Sequence, residues 1–245
     1  MRSHRRHPDD RGDAAPADLT GGHVEKIVTV LWRPADTTKQ EGAGGLRVCV
    51  EDDHVDGDAL RMNPRPPPKA ALVSYWVECS EDRGPFEEVL AESAGDLASF
   101  LVVESRPIVN TTHLVGPGER TPGMVQVTGI VAKEGLAHDE FIRIWQEEQR
   151  PCAIETQSTF QYIRNEIVRP LTGSAPGWDA IVEESFPIEA MNDPYVFFDA
   201  VGDDERLQAN VTRMVETVSK MLEIDQTDVT VASEYVFGRP RASDR

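Results

Sequence analysis

The order in which strands and helices are predicted to follow one another constrains this fold more than any other feature of the sequence. The second half reads as strand, helix, strand, strand, helix, strand, with strands predicted at residues 124–132, 160–168, 179–186 and 228–237. The first helix is predicted from Asp139 to about Gln149. The last helix is the clearest, because apolar residues recur every three to four positions from Leu207 to Leu222. This is the order of a ferredoxin-like unit.

The first half has the same order, with strands predicted near residues 26–32, 46–50, 70–79 and 100–109. A helix begins at Pro85, and a polar, Gly-rich loop at 35–45 takes the place of the other helix. We infer a tandem duplication from this element order alone, since residue identity between the halves is slight. We therefore expect an α+β fold in which two ferredoxin-like sheets pair face to face and form a barrel with a central cavity.

The element order also predicts where the subdomains begin and end. A tail at 1–22, with almost nothing that could be buried, precedes a diverged ferredoxin-like subdomain at 23–110. Turn-forming residues at 111–121 predict a linker, which leads to the second subdomain at 122–237 and a polar tail at 238–245. The duplication supplies internally what a single unit would obtain by dimerising, so a monomer and a homodimer are both compatible with it.

The charge of the chain limits its partners. Its formal net charge is -18, whereas a nucleic-acid site needs Lys and Arg to displace counterions from phosphates. No apolar run is long enough for a membrane span, and the N-terminal residues lack the apolar core of a signal peptide. We therefore expect a cytoplasmic protein with no nucleic-acid or membrane partner.

The sequence contains no pattern that predicts a metal or cofactor site. Its cysteines, Cys49, Cys79 and Cys152, are odd in number and widely spaced, which favours core thiols over a disulfide framework. The acidic stretch at 51–58 is a poor match to a calcium loop because no closing Glu follows it. There is also no Gly-rich phosphate loop. We expect neither a metal nor a cofactor.

Several motifs of the second half occur in a characteristic order: FIRIW and QEEQ leading through AIETQSTFQYIRN, then WDAIVEESF, DPYVFFD and SEYVF. In this order they resemble the EthD family of dimeric α+β barrel proteins, named for a component of a bacterial ether-degradation locus. The resemblance covers residues 122–237, and the first half looks like a diverged copy through KIVTVLWRP, ALVSYWVEC and FLVVESRPIVN. It implies a small-molecule enzyme of dehydratase, cyclase or oxidase type.

One position departs from that family's pattern. Family members commonly have a Trp followed four residues later by a His on the first helix, whereas Trp145 is followed here by Gln149. A His could transfer a proton near neutral pH, but an amide only donates and accepts hydrogen bonds. A catalytic proton transfer would therefore depend on another group.

Three carboxylates are candidates for that transfer. Glu183 and Glu184 are adjacent on a predicted strand, so they point to opposite faces and one should face the interior. A carboxylate in an apolar cavity has a raised pKa and can act as a general acid or base. Glu155, between the helix and the strand of residues 141–165, is a similar case. The alternative for each is a glutamate that is ion-paired or exposed at the rim.

The remaining candidates would orient a ligand. Tyr162 could present its phenol, although a tyrosine bonded within the core is the more common arrangement. We predict that Trp145 and Gln149 contact a ligand from the helix, with Asn165 on the following strand and Phe197 in an aromatic lip at the rim of the cavity.

These observations favour a cofactor-independent enzyme acting on a hydrophobic oxygenated or aromatic metabolite. Dehydration, cyclisation and oxidation cannot be ranked from the residues present. The main alternative is a non-catalytic ligand-binding or accessory protein, which Gln149 favours. A third interpretation, a structural oligomerisation module, would be supported by a cavity filled with side chains.

Overall fold

Eight strands form the core of the molecule in a computed structural model that describes residues 24–32, 45–56, 60–62 and 67–238. Most are rich in β-branched and aromatic residues, as strands buried on both faces require. In chain order they are β1 Glu25–Leu31, β2 Leu46–Val50, β3 Ala71–Val77, β4 Leu97–Ile108, β5 Met124–Ile130, β6 Gln161–Pro170, β7 Ala180–Phe186 and β8 Asp228–Gly238.

The strands close into an antiparallel barrel in the order β1-β3-β2-β8-β5-β7-β6-β4. Within each half the fourth strand pairs with the first, the first with the third, and the third with the second. The two halves meet along two seams, β2 with β8 and β4 with β6. The predicted α+β fold of two tandem ferredoxin-like units in one barrel is confirmed; the subdomain boundaries stay a prediction.

Side chains fill the interior of this barrel. One cluster is apolar and includes Val28, Phe100, Val127 and Ile181. Beside it lie buried charged residues: Lys26, Arg47, Glu183 and Glu234. A void beside Cys49 has a volume of only about 10 Å³, roughly the space of one water molecule. The central cavity predicted from the sequence is therefore not found in the described part of the barrel, because the interior positions carry large or ion-paired side chains.

Helices cover the outer face of the second half. They are α2 His138–Ile144, α3 Arg150–Thr156, α4 Pro194–Phe197 and α5 Asp204–Met221. The side chain of Asp203 accepts a hydrogen bond from the Arg206 N–H, which caps α5. The cluster between these helices and the sheet includes Phe141, Trp145 and Met221.

A π-helical turn, Trp145–Gln149, joins α2 to α3. Its signature is a hydrogen bond from the Arg150 N–H to the Trp145 carbonyl, five residues earlier. Pro151 explains the wider turn, because proline donates no hydrogen bond and its ring would clash with the carbonyl four residues before it. The helix predicted to end near Gln149 therefore continues to Thr156.

In the first half, α1 Gly84–Ala94 packs on the outer face through Phe86 and Leu90. The loop predicted at 35–45 lies outside the described residues except for Gly45, as do the tails at 1–22 and 239–245. Among the described helices, none has the length and apolar character needed to cross a membrane.

Candidate functional site

A pocket of about 270 Å³ lies outside the barrel, between the outer face of the second half's sheet and the helices that cover it. Ligand pockets commonly measure roughly 300–1,000 Å³, so this one suits a small ligand. Most of its wall is apolar, and its polar members are Gln126, Thr128, Trp145, Gln149, Gln157, Tyr162, Glu184 and Thr227.

The floor of the pocket carries a row of three polar side chains. Gln126 on β5 pairs in register with Glu184 on β7, and Glu184 pairs with Tyr162 on β6. Residues directly opposite on adjacent antiparallel strands share a face. The sheet therefore places an amide, a carboxyl and a phenol side by side under the helices.

Glu184 is the ionisable centre of this row. Its carboxyl has no hydrogen-bond or salt-bridge partner among the residues that the structure describes. Burial raises the pKa of Glu184 to about 7, because removal from water disfavours the charged form. Near neutral pH this carboxyl can therefore both take up and release a proton.

Tyr162 is held beside Glu184 by Trp145. The indole Nε1 of Trp145 donates to the Tyr162 hydroxyl oxygen at 3.1 Å. Burial and the neighbouring Glu184 raise the pKa of Tyr162, so the phenol stays protonated. Since its oxygen already accepts the indole N–H, its own proton is available to an acceptor in the pocket.

The helical wall adds amide groups. The π-helical turn presents Gln149, whose Nε2 lies 3.2 Å from the Met214 sulfur while its Oε1 is buried without a partner in the described structure. Gln157, just after α3, likewise has an unpaired, buried Oε1. Unpaired buried polar atoms are costly unless a ligand or water bonds to them.

Apolar side chains make up the rest of the wall. Met214, Val218 and Met221 of α5 face the sheet. Phe197 and Phe198 form one side and contact each other edge to face, with ring centroids 5.0 Å apart. Their combination with the floor gives an apolar pocket with a few directed polar groups, which is typical of small-molecule sites.

The structure brings five of the eight predicted site residues to this pocket: Trp145, Gln149, Tyr162, Glu184 and Phe197. The other three lie elsewhere.

Glu183 and Asn165 point into the barrel, where the Asn165 amide donates to Glu183 at 2.8 Å. Glu155 is exposed and forms a salt bridge with Arg213 at 2.7 Å on the helical surface. Side chains alternate along a strand, so Glu183 and Asn165 point to the opposite face from Glu184 and Tyr162. Glu155 lies on the side of its helix that is turned to solvent.

Sequence reasoning did not select Gln126, Thr128, Gln157 or Met62. Gln126 and Thr128 lie two apart on β5, so their alternation with Val125 and Val127 was a readable signal for a shared face. Met62 had no such signal, because an isolated bridge to Val229 on β8, far away in the sequence, places it at the pocket.

No cluster of three or more His, Cys, Asp or Glu that could hold a metal ion occurs in the described part of the chain.

No protein-family model and no curated protein matches this sequence. A comparison with solved structures matches two of them. One is the crystal structure of an anthrone oxidase-like protein, with a TM-score of 0.52 and 12% sequence identity over 91% of this chain and 97% of that one.

The other is a protein provisionally assigned as a monooxygenase from Fusobacterium nucleatum subsp. nucleatum. Its TM-score is 0.43, with 12% identity over 87% of this chain and 92% of that chain. The first similarity extends over nearly the whole of both chains and supports the barrel architecture.

Proposed function

We propose that this protein is a cofactor-independent enzyme that deprotonates a hydrophobic, oxygenated aromatic molecule, with Glu184 as the general base. The observation that carries the proposal is the Glu184 carboxyl itself, which is unpaired in the described structure, has a pKa near 7 and lies in an apolar pocket. A base with a pKa near the working pH combines a useful ionised fraction with a strong drive to take a proton.

In the proposed step, Glu184 removes a proton from an activated C–H or O–H of the ligand. The electron pair left behind moves onto the ligand's oxygen and forms an enolate or phenolate. Tyr162 is next to Glu184 in register and has a free proton, so it can donate a hydrogen bond to that oxygen. Trp145 keeps the phenol oriented for this donation.

The oxidase type is the form we favour among the possible outcomes. The name of the anthrone oxidase-like fold neighbour suggests it, and oxidation is one of the three reaction types that the resemblance to the EthD family implies. In such a reaction the carbanion passes electrons to dioxygen, a CH₂ group becomes C=O, and the second oxygen atom leaves as water. Dehydration and cyclisation would begin with the same proton transfer.

A non-catalytic ligand-binding protein is the second candidate. Gln149 supports it, because the π-helical turn presents an amide where a titrating group would serve catalysis. The two functions differ in whether the ligand is consumed.

The test uses a hydroxylated anthrone as the probe, with binding followed by fluorescence quenching and turnover by oxygen uptake. We expect Glu184→Gln to bind the probe but to lose at least roughly 100-fold in turnover, the contribution typical of a general base. Glu155→Gln is the matched control, because that carboxylate is exposed and paired with Arg213.

Turnover that survives in Glu184→Gln would contradict the assignment of the base. Binding without turnover in the unaltered protein would favour the second candidate, and Gln149→His would then test whether a titrating group restores activity.

A further inference from the structure

The two seams of the barrel raise a question of partner choice. Each half has the same strand order and presents one second strand and one fourth strand at its edges, as β2 and β4 or as β6 and β8. The backbone pattern would therefore also allow two first halves, or two second halves, from different chains to close a barrel. Something other than main-chain hydrogen bonding must select the observed combination.

Charged side chains inside the barrel are divided unequally between the halves. The first half contributes the buried cations Lys26 and Arg47, and the second contributes the buried acids Glu183 and Glu234. Each of the four is at most 4% exposed. The second half places no Lys or Arg in this buried network, as far as the structure describes it.

Contacts across the halves join these groups. Lys26 Nζ donates to the Asn165 side-chain oxygen at 2.7 Å and lies 3.9 Å from Glu183. The Arg47 guanidinium pairs with Glu183, and its Nε lies 3.6 Å from Glu234.

Neutral groups complete the shell around the acids. Asn165 donates to Glu183 at 2.8 Å, and Gln161 and Thr121 each donate to Glu234 at 2.8 Å. Within the first half, Glu104 accepts from Lys26 at 2.5 Å and from Arg106 at 2.5 Å. Both acids of the second half thus receive their positive charge from the first half.

Stability does not explain such a network well. Removing charged groups from water is unfavourable, and buried ion pairs can often be replaced by apolar residues without loss of stability. Charge placement does, however, discriminate strongly between partners, because a wrong pairing leaves like charges together in a low-dielectric interior.

We infer that the segregated charges of the barrel interior make the first half pair with a second half and prevent like halves of two chains from pairing. Two second halves would place four carboxylates in one interior without Lys26 or Arg47. Two first halves would place two copies of Lys26 and Arg47 against only two copies of Glu104. Both combinations leave buried charges without their partners.

The test removes these four charges, leaves the shape, and keeps the separate buried pair of Lys69 with Asp228, which also joins the two halves. The variant Lys26→Met, Arg47→Met, Glu183→Leu and Glu234→Gln is unfolded and refolded over a series of protein concentrations, and its mass is measured by light scattering after size exclusion. We expect the unaltered protein to recover one mass at every concentration. The variant should give species of at least twice that mass, in increasing proportion as concentration rises.

A second variant, Glu183→Gln with Glu234→Gln, removes only the acids of the second half and should also associate. Glu104→Gln is the control, since that acid belongs to the first half and should not change the mass. If both variants refold to the mass of the unaltered protein at all concentrations, charge does not select the pairing. If neither folds, the network is required for stability itself, and the inference is equally overturned.

Discussion

Glu183 and Glu184 are neighbours in sequence and lie in opposite environments. Glu183 points into the barrel, where Arg47 pairs with it and Asn165 donates to it at 2.8 Å. Glu184 points outward into the pocket, where burial raises its pKa to about 7 and no described residue pairs with it. One strand thus carries an ion-paired glutamate and, at the next position, a glutamate without a described partner.

This contrast separates the filled interior of the barrel from the pocket that we propose as the ligand site. Inside the barrel the acids are hydrogen-bonded and side chains fill the space, which leaves little room for a ligand. In the pocket, Gln149 and Gln157 each carry a buried oxygen without a partner in the described structure, and Glu184 lies beside them. Proteins tolerate such groups where function uses them.

Removing each carboxylate should therefore have opposite consequences. We expect Glu183→Ala to lower the free energy of unfolding by about 3–5 kcal/mol, because Arg47 is left as a buried charge without its acid. Glu184→Ala should not lower it at neutral pH, since no pair is broken and a carboxyl whose charged form is disfavoured by burial is removed. Urea denaturation measures both, and equal losses in the two variants would contradict the comparison.

Packing at one end of the barrel offers a second, smaller test. Gly129 faces the interior on β5, and a Cβ there would lie 2.4 Å from the ring of Trp178, which stacks on Phe100. We expect Gly129→Ala to cost about 1–3 kcal/mol of stability through overpacking.

Gly173→Ala is the matched control, because its Cβ would meet nothing within 4 Å. Ligand binding at the pocket should survive in both variants. If Gly129→Ala is as stable as the control, the side chains around Trp178 can move aside and the interior is not tightly packed.

The smallest expected effect concerns the pocket alone. Trp145→Phe removes the indole N–H that bonds the Tyr162 oxygen, at a cost of about 0.5–1.5 kcal/mol in stability. Phenyl is smaller than indole, so the variant also loses part of the pocket wall, and weaker binding of an aromatic probe would reflect both this loss and the loss of phenol orientation. Isothermal titration calorimetry with the same anthrone probe measures the affinity. An unchanged affinity would contradict a role of Trp145 in orienting Tyr162 for ligand binding.

Much of the fold could be predicted from the sequence because the strands are marked by β-branched runs and the last helix by a 3.6-residue stripe. The π-helical turn was not predictable in this way, since its cause is the single Pro151 inside an otherwise regular helix.

The location of the pocket was harder to predict than its residues. Because side chains alternate along a strand, Glu183 and Glu184 must face opposite sides of the sheet. Which side is filled with side chains and which holds a pocket depends on packing between distant strands. The interior is filled in part by Lys26 and Arg47, which are distant in sequence and lie against Glu183 there. The pocket formed on the outer face, where α5 and the π-helical turn stand over Gln126 and Glu184.

The pH dependence of Glu184 has a definite sign. Its pKa is raised in the folded state from an ordinary value of 4.5, so the folded protein holds this proton more tightly than the unfolded chain. The resulting stabilisation is present below pH 4.5 and is lost as pH rises through 7. If Glu184 is the base, activity should show the opposite trend and rise with the ionised fraction.

The most direct test of the central claim is a carboxyl-carbon NMR titration of the unaltered protein and of Glu184→Gln between pH 4 and pH 9. We predict one glutamate resonance with a midpoint near pH 7 that is absent from Glu184→Gln and remains in Glu155→Gln. A Glu184 resonance that titrates near its ordinary value of 4.5 would contradict a desolvated, unpaired base in this pocket.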